Sequence, residues 1–215
     1  MRSILKSEIS NFEKRYRARL INSLSGVKSA NLIGTISESG QENVAIVSSC
    51  FHIGADPALM GMIFRPAVVE RHTYENILST GYYTINHVNS EIVEKAHQTS
   101  ARYPKEVSEF SSTGLGPIYI DGFKAPFVEQ SSVRIGLKLK ENVHLQINGT
   151  ELIIGEIEII NLEESFIRKD GFIDLHSAGS AGVTGLDCYH DISLGQRYSY
   201  AKVDKKTRQL DIEGD

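Results

Sequence analysis

Two long runs of alternating character in the second half of the chain restrict what it can fold into. "VRIGLKLK" places apolar Val133, Ile135, Leu137 and Leu139 at every second position, with polar or small residues between them. The turn-like "NGT" follows at 148–150, and "ELIIGEIEIINLEE" then resumes strand character. Side chains alternate across a strand, so each run offers one face to a core. Two long, sequential antiparallel strands are expected.

The first half repeats the theme with shorter strands. "NLIGTIS", the turn "ESGQEN", "VAIVSS" and, after a break at Asp56-Pro57, "ALMGMIF" follow in quick succession. "HTYENILST" then has helical spacing, with Tyr74, Ile77 and Leu78 on one side and Gly81 where a C-terminal cap belongs. "GYYTINHV" returns to strand. A second helix is expected from Ser90 in "SEIVEKAHQ", and the irregular "YPKEVSEFSSTGLGP" completes an excursion from the sheet. Strands joined by short turns, with a few inserted helices, predict a mainly β fold: an antiparallel barrel with added helices. Residues 176–190, "HSAGSAGVTGLDCYH", lack periodicity and read as a loop, either a connector or a lid over a ligand.

With 215 residues the chain is expected to form a single domain, 1–215, preceded by a helical arm over about 1–22. The net charge of −4 lacks the basic footprint of a nucleic-acid binder, so no nucleic-acid partner is expected. The basic run "NFEKRYRARL" reads as a solvated helix face. The N-terminal residues lack a signal-peptide core, and no stretch reaches the roughly 20 apolar residues that cross a bilayer. A cytoplasmic location without membrane contact is the expectation. Cys50 and Cys188 form neither a disulfide framework nor a zinc signature, and the "CYHD" spacing matches no standard ligand set, so no metal is expected.

Signatures of the common catalytic classes are absent from the sequence: no nucleophile elbow, phosphate loop, dinucleotide fingerprint or His-Glu-x-x-His. No residue is singled out as catalytic. Cys50 ends an apolar strand and reads as a small packed side chain. His97, Arg102 and Lys105, within residues 94–110, read as surface. One short stretch stands out instead. "RPAVVERHTYEN" gathers Arg65, Arg71, His72, Thr73 and Asn76 around the start of the helix. A helix N-terminus offers unpaired backbone N–H groups and the positive end of the macrodipole, and an Arg fork matches phosphate geometry. From these residues alone, a phosphate site and a capped surface helix with Thr73 as cap remain equally open.

The order of these elements resembles the FMN-binding split-barrel flavin reductase-like family. Its members show a Thr, a turn with Gly, Asn-x-Ala-x-x-Ser-x-Phe, Asp-Pro, a strand, Thr-x-x-Asn-Ile, Thr-Gly and a strand ending in Asn. Here these are Thr35, Gly40, Asn43 with Ala45, Ser48, Ser49 and Phe51, Asp56-Pro57, Thr73 with Asn76-Ile77, Thr80-Gly81 and Asn86. "GFKAPFVEQSSVRIGLKLKENV" and "LGQRYSYAKVD" resemble the second half of the family.

The resemblance implies a six-stranded Greek-key barrel that forms a homodimer, with FMN at or near the interface. The flavin ring would lie along Ser48, Ser49, Cys50 and Phe51, and its phosphate at His72, Thr73 and Asn76 with Arg65 or Arg71. The implied activity is an NAD(P)H-dependent flavin reductase, NAD(P)H giving hydride to the bound flavin, with free flavin, oxygen or a partner monooxygenase as acceptor. Such chemistry is carried by cofactors, which agrees with the empty catalytic inventory. Two other readings fit the same residues: a flavoredoxin-like electron-transfer protein and a nonenzymatic FMN-binding module. The 177–185 segment precedes "LGQRYSY" and is expected near the flavin; Tyr198 and Tyr200 read as core residues or as flanks of the ligand.

Overall fold

The computed structural model describes residues 1–66 and 70–215. Helices α1 (Lys6–Asn11) and α2 (Lys14–Ser23) form an N-terminal arm that buries none of its residues. There follow β1 (Lys28–Ser29), β2 (Asn31–Ile36), β3 (Glu42–Val47), β4 (Cys50–Ala55), β5 (Ala58–Phe64), α3 (His72–Thr80) and β6 (Tyr82–His87). The excursion carries α4 (Val93–Gln98), α5 (Glu109–Thr113), β7 (Pro117–Ile118) and β8 (Phe127–Val128). The long hairpin β9 (Val133–Leu145) and β10 (Thr150–Leu162) is succeeded by β11 (Ala181–Thr184), β12 (Cys188–Asp191), β13 (Arg197–Tyr198) and β14 (Gln209–Leu210).

The main sheet has seven strands in the order β3-β2-β6-β9-β10-β5-β4, and each pairing is antiparallel. Its outer strands, β3 and β4, are joined by Ser48 and Ser49 alone. A flat sheet would hold strands six positions apart about 29 Å from each other, at ~4.8 Å per strand, so this sheet must curl until its edges meet at that corner. Among the described residues β3 pairs with β2 and β4 with β5, but not with each other, which makes the barrel split. The mainly β split barrel expected from the sequence is borne out, with seven strands in its main sheet where six were expected. "CFHIGA", which lacks a strand pattern in the sequence, forms β4, an edge strand with Phe51, His52 and Ile53 exposed.

β2 explains how two layers share one strand. Its residues Asn31 to Thr35 are all buried, Ile33 among the barrel-interior residues Met62, Tyr83, Ile85, Leu137 and Ile153. Neighbouring Leu32 points the other way, into a second cluster with Val44 of β3 and with Ile92, Ala96, Phe110 and Val128 from the excursion. Gly34 is required by this layering: a Cβ there would lie 2.1 Å from the Pro126 carbonyl oxygen. The excursion therefore packs directly on the sheet and does not loop out from it.

Three further sequence expectations need correction. Residues 176–190 are a loop only in part: 176–179 and 185–187 are turns, but β11 and β12 form a hairpin whose β11 pairs with β1, and Ser180, Ala181 and Val183 are buried. Small residues serve there as a tightly packed sheet layer; a Cβ on Gly182 would meet the Val27 side chain at 2.4 Å. Tyr198 and Tyr200 lie outside the core, 56% and 90% exposed. The second helix starts later than expected, with Asn89 rather than Ser90 accepting the backbone N–H groups of Glu91 and Ile92, each at 3.2 Å. Among the described residues no helix is long and apolar enough to cross a membrane.

Candidate functional site: an arginine-lined helix start

α3 begins at His72, with Arg71 at its N-cap position. The Arg71 N–H donates to the Glu75 carboxylate at 3.2 Å, and Gly81, in the left-handed conformation at φ 75°, ends the helix. The backbone N–H groups of His72, Thr73 and Tyr74 at its first three positions have no intrahelical acceptor. Its buried face is partly polar: Thr73, Asn76 and Ile77, while Leu78 is exposed.

The polar members of that face form a closed network with β2 and β3. Thr73 Oγ1 donates to Asn43 Oδ1 at 2.7 Å, and Thr35 Oγ1 to the same oxygen at 3.3 Å. Asn76 Nδ2 donates to Thr35 Oγ1 at 3.1 Å, and Asn43 Nδ2 to the Glu109 carboxylate of α5 at 2.5 Å. All five side chains are buried. Thr73 and Asn76 thus fix the helix start to the sheet through their side chains. What Thr73 can present to a ligand is its backbone N–H. Of the five, Glu109 carried no sequence signal.

Arg71 is the contrasting member. Its Nε is buried and has no hydrogen-bond partner among the described residues. Burial first, then the charges of Arg65 and Arg102, hold its guanidinium below the ordinary arginine value. Among the described residues no carboxylate lies within ion-pair distance of Arg65, Arg71 or Arg102. Arg102 reaches this cluster from the excursion, a segment without periodicity. Lys105 joins it there, 3.9 Å from Glu75 on the first turn of α3. Beside the helix start lies a cavity of about 270 Å³, bordered by His72 and Asn76, the 37–43 turn and strand start, and residues 105–107.

The second expected group, Ser48 to Phe51, sits at the corner where the barrel splits. Cys50 pairs with Met62, which sets Ser48 and Ser49 beside the end of β5 and hence close to Arg65. Ser49 Oγ donates to the Ile63 carbonyl at 2.8 Å. Burial pushes the Cys50 thiol up to about 12, so it remains protonated and packs on the barrel interior. Phe51 lies across Gly61, where a Cβ would stand 2.6 Å from its ring, and is 43% exposed. Because β4 is an edge, half of its backbone N–H and C=O groups point away from β5.

A split barrel with a cationic helix start on one side and an open strand edge on the other defines the class. The chain belongs to the flavin reductase like domain family, which it matches over residues 25–171. It is similar to a candidate flavin reductase with split barrel domain from Shewanella frigidimarina NCIMB 400, with 52% identity and a TM-score of 0.90 over 94% of this chain and 100% of that one. Nitrilotriacetate monooxygenase component B from Bacillus cereus shares the fold at 19% identity, with a TM-score of 0.79 over 91% of this chain and 97% of that one. Flavoredoxin of Desulfovibrio vulgaris (Miyazaki F) does so at 23% identity, with a TM-score of 0.68 over 83% and 92%.

Proposed function

We propose that the chain is an FMN-dependent oxidoreductase that accepts hydride from NAD(P)H, a flavin reductase. The observation that carries this reading is the Arg65–Arg71–Arg102 cluster at the start of α3, which lacks a carboxylate partner among the described residues and includes a buried orphan Nε. Three like charges gathered at the positive end of a helix call for a polyanion. A phosphate monoester meets that demand, and the family indicates whose phosphate it is.

In this reading Arg65 and Arg71 grip the FMN phosphate with the backbone N–H groups of His72 and Thr73. His72 and Asn76 border it, and Thr73 and Asn76 hold the helix start rigid from behind. Outward backbone groups of Ser48, Ser49, Cys50 and Phe51 face the ring edge, where fixed N–H donors favour negative charge on a reduced ring. When bound, the flavin supplies the hydride chemistry at its N5. The protein needs no acid–base pair for this, and the protonated Cys50 plays no covalent part.

A homodimer that covers the open β4 edge, a cytoplasmic location and a partner monooxygenase as electron acceptor belong to the same proposal. The Bacillus cereus protein of like fold is itself a monooxygenase component. Fluorescence titration with FMN and with riboflavin tests the site. FMN is expected to bind at least tenfold more tightly, and equal affinities would refute the phosphate assignment.

A further inference from the structure

Helices α1 and α2 of the N-terminal arm hold six and ten residues and bury none of them. Helices shorter than about 12 residues are marginal in water, and most helical stability comes from packing an apolar face. Hydrogen bonds within the arm set its shape: Glu13 accepts the N–H groups of Arg15 and Tyr16, and Arg17 donates to the Ser10 carbonyl. Tyr16, Leu20 and Leu24, spaced by four, lie along one side of α2 and its C-cap, and Arg15 and Arg19 run beside them. Tyr16 and Leu24 are 53% and 70% exposed. The family match begins at residue 25, so the arm lies outside the matched domain.

Charge selects the surface that this stripe fits. Residues 1–22 carry six Lys or Arg against two Glu, a net +4, which leaves −8 on the rest of the chain. On the main sheet, Ile53, Pro57, Leu59 and Ile154 line a second cavity of about 270 Å³ together with Glu141 and Glu156. Lys140 pairs with Glu156 at 2.8 Å, whereas Glu141 and the exposed Glu158 have no ion-pair partner among the described residues. Apolar side chains flanked by unpaired carboxylates complement an apolar stripe flanked by arginines. Ile53 belongs to β4, so this face is continuous with the open edge that the proposed homodimer covers.

We propose that the N-terminal arm of one protomer docks on this face of a second copy. Tyr16 and Leu24 lie over Ile53, Leu59 and Ile154, with Arg15 and Arg19 toward Glu141 and Glu158. A two-fold axis makes the contact twice, each arm lying on the other protomer. The proposal rests on the homodimer of the reading above and adds the segment that holds it together.

The test follows the whole chain by sedimentation velocity over a range of concentrations, with circular dichroism to check the fold. Tyr16→Glu combined with Leu24→Glu is expected to raise the dimer dissociation constant tenfold or more. Arg15→Glu combined with Arg19→Glu, and Glu141→Arg combined with Glu158→Arg, should each do the same, and joining these two sets in one chain should recover most of the loss. All six positions are exposed, so the fold tolerates the changes. Unchanged dissociation constants in the arm variants overturn the proposal, as does a loss that the joined charge reversals fail to recover. Vesicles of phosphatidylcholine and phosphatidylserine probe the other surface that suits a basic amphipathic helix. Vesicle binding that Arg15→Glu with Arg19→Glu abolishes, while the dimer is unaffected, overturns the proposal in favour of a membrane. Failure of the underlying homodimer looks different: the unaltered protein then sediments as a monomer at every concentration.

Discussion

Thr73 Oγ1 donates to Asn43 Oδ1 at 2.7 Å, and this bond ties the first turn of α3 to the sheet. Asn43 also holds Thr35 and the buried carboxylate of Glu109, so removing it leaves two hydroxyls and a charge without their partner. Asn43→Ala is expected to cost about 2–4 kcal/mol, on the scale of orphaned buried groups and broken buried charge contacts. Urea unfolding followed by circular dichroism checks this; a loss below 1 kcal/mol would mean that water replaces the network.

Arg71 has the opposite character, a partly buried cation with an unpartnered Nε. Arg71→Ala is expected to weaken FMN binding by about 10- to 100-fold, the range of one charge-assisted contact at ~1.5–3 kcal/mol, and to leave riboflavin binding unchanged. Because it relieves crowding with Arg65 and Arg102, the variant should unfold no earlier than the parent when ligand-free. Parallel titrations and thermal melts decide both points.

His87, at the end of β6, pairs its Nδ1 with Ser180 Oγ at 2.9 Å, and burial pushes its pKa down to about 4. The unfolded chain binds this proton near 6.5, so the native state is favoured above that pH and loses stability as pH falls from 6.5 to 4. The loss amounts to about 2–3 kcal/mol. His87→Asn should flatten that part of the stability profile, as measured by urea midpoints at stepwise pH. An unaltered slope would place the proton uptake elsewhere.

Tyr83 packs its ring inside the barrel against Gly155, yet its hydroxyl is buried without a hydrogen-bond partner among the described residues. Its pKa is raised, by burial first and then by Cys50. Tyr83→Phe removes the unpaired oxygen and keeps the ring. The variant is expected to be neutral or up to about 1 kcal/mol more stable, since an unmet buried polar group costs free energy. Destabilisation by more than that would reveal an ordered water on the hydroxyl.

The barrel was legible because its strands alternate and its turns carry Gly, Asn and Pro, and the helix start because donors cluster before "YENI". The missing pieces share a physical cause. β4 escaped notice because an edge strand at a split corner keeps Phe51, His52 and Ile53 exposed, which removes the alternation that marks a buried strand. The β11–β12 hairpin escaped because Gly and Ala at close packing look like loop residues. Arg102 and Lys105 reach the site across sequence distance, from an excursion without periodicity. Thr73 and Asn76 were recognised, but a sequence does not tell whether a polar side chain faces a ligand or a buried neighbour. Here both side chains bond to the sheet.

The most direct measurement of the central claim is the anaerobic visible spectrum of the FMN-loaded protein before and after NADH, and then NADPH. Prompt bleaching of the flavin band by either nicotinamide is the expected result, and the faster one names the physiological donor. A band that persists with both would contradict a reductase and leave an electron carrier or a binding module.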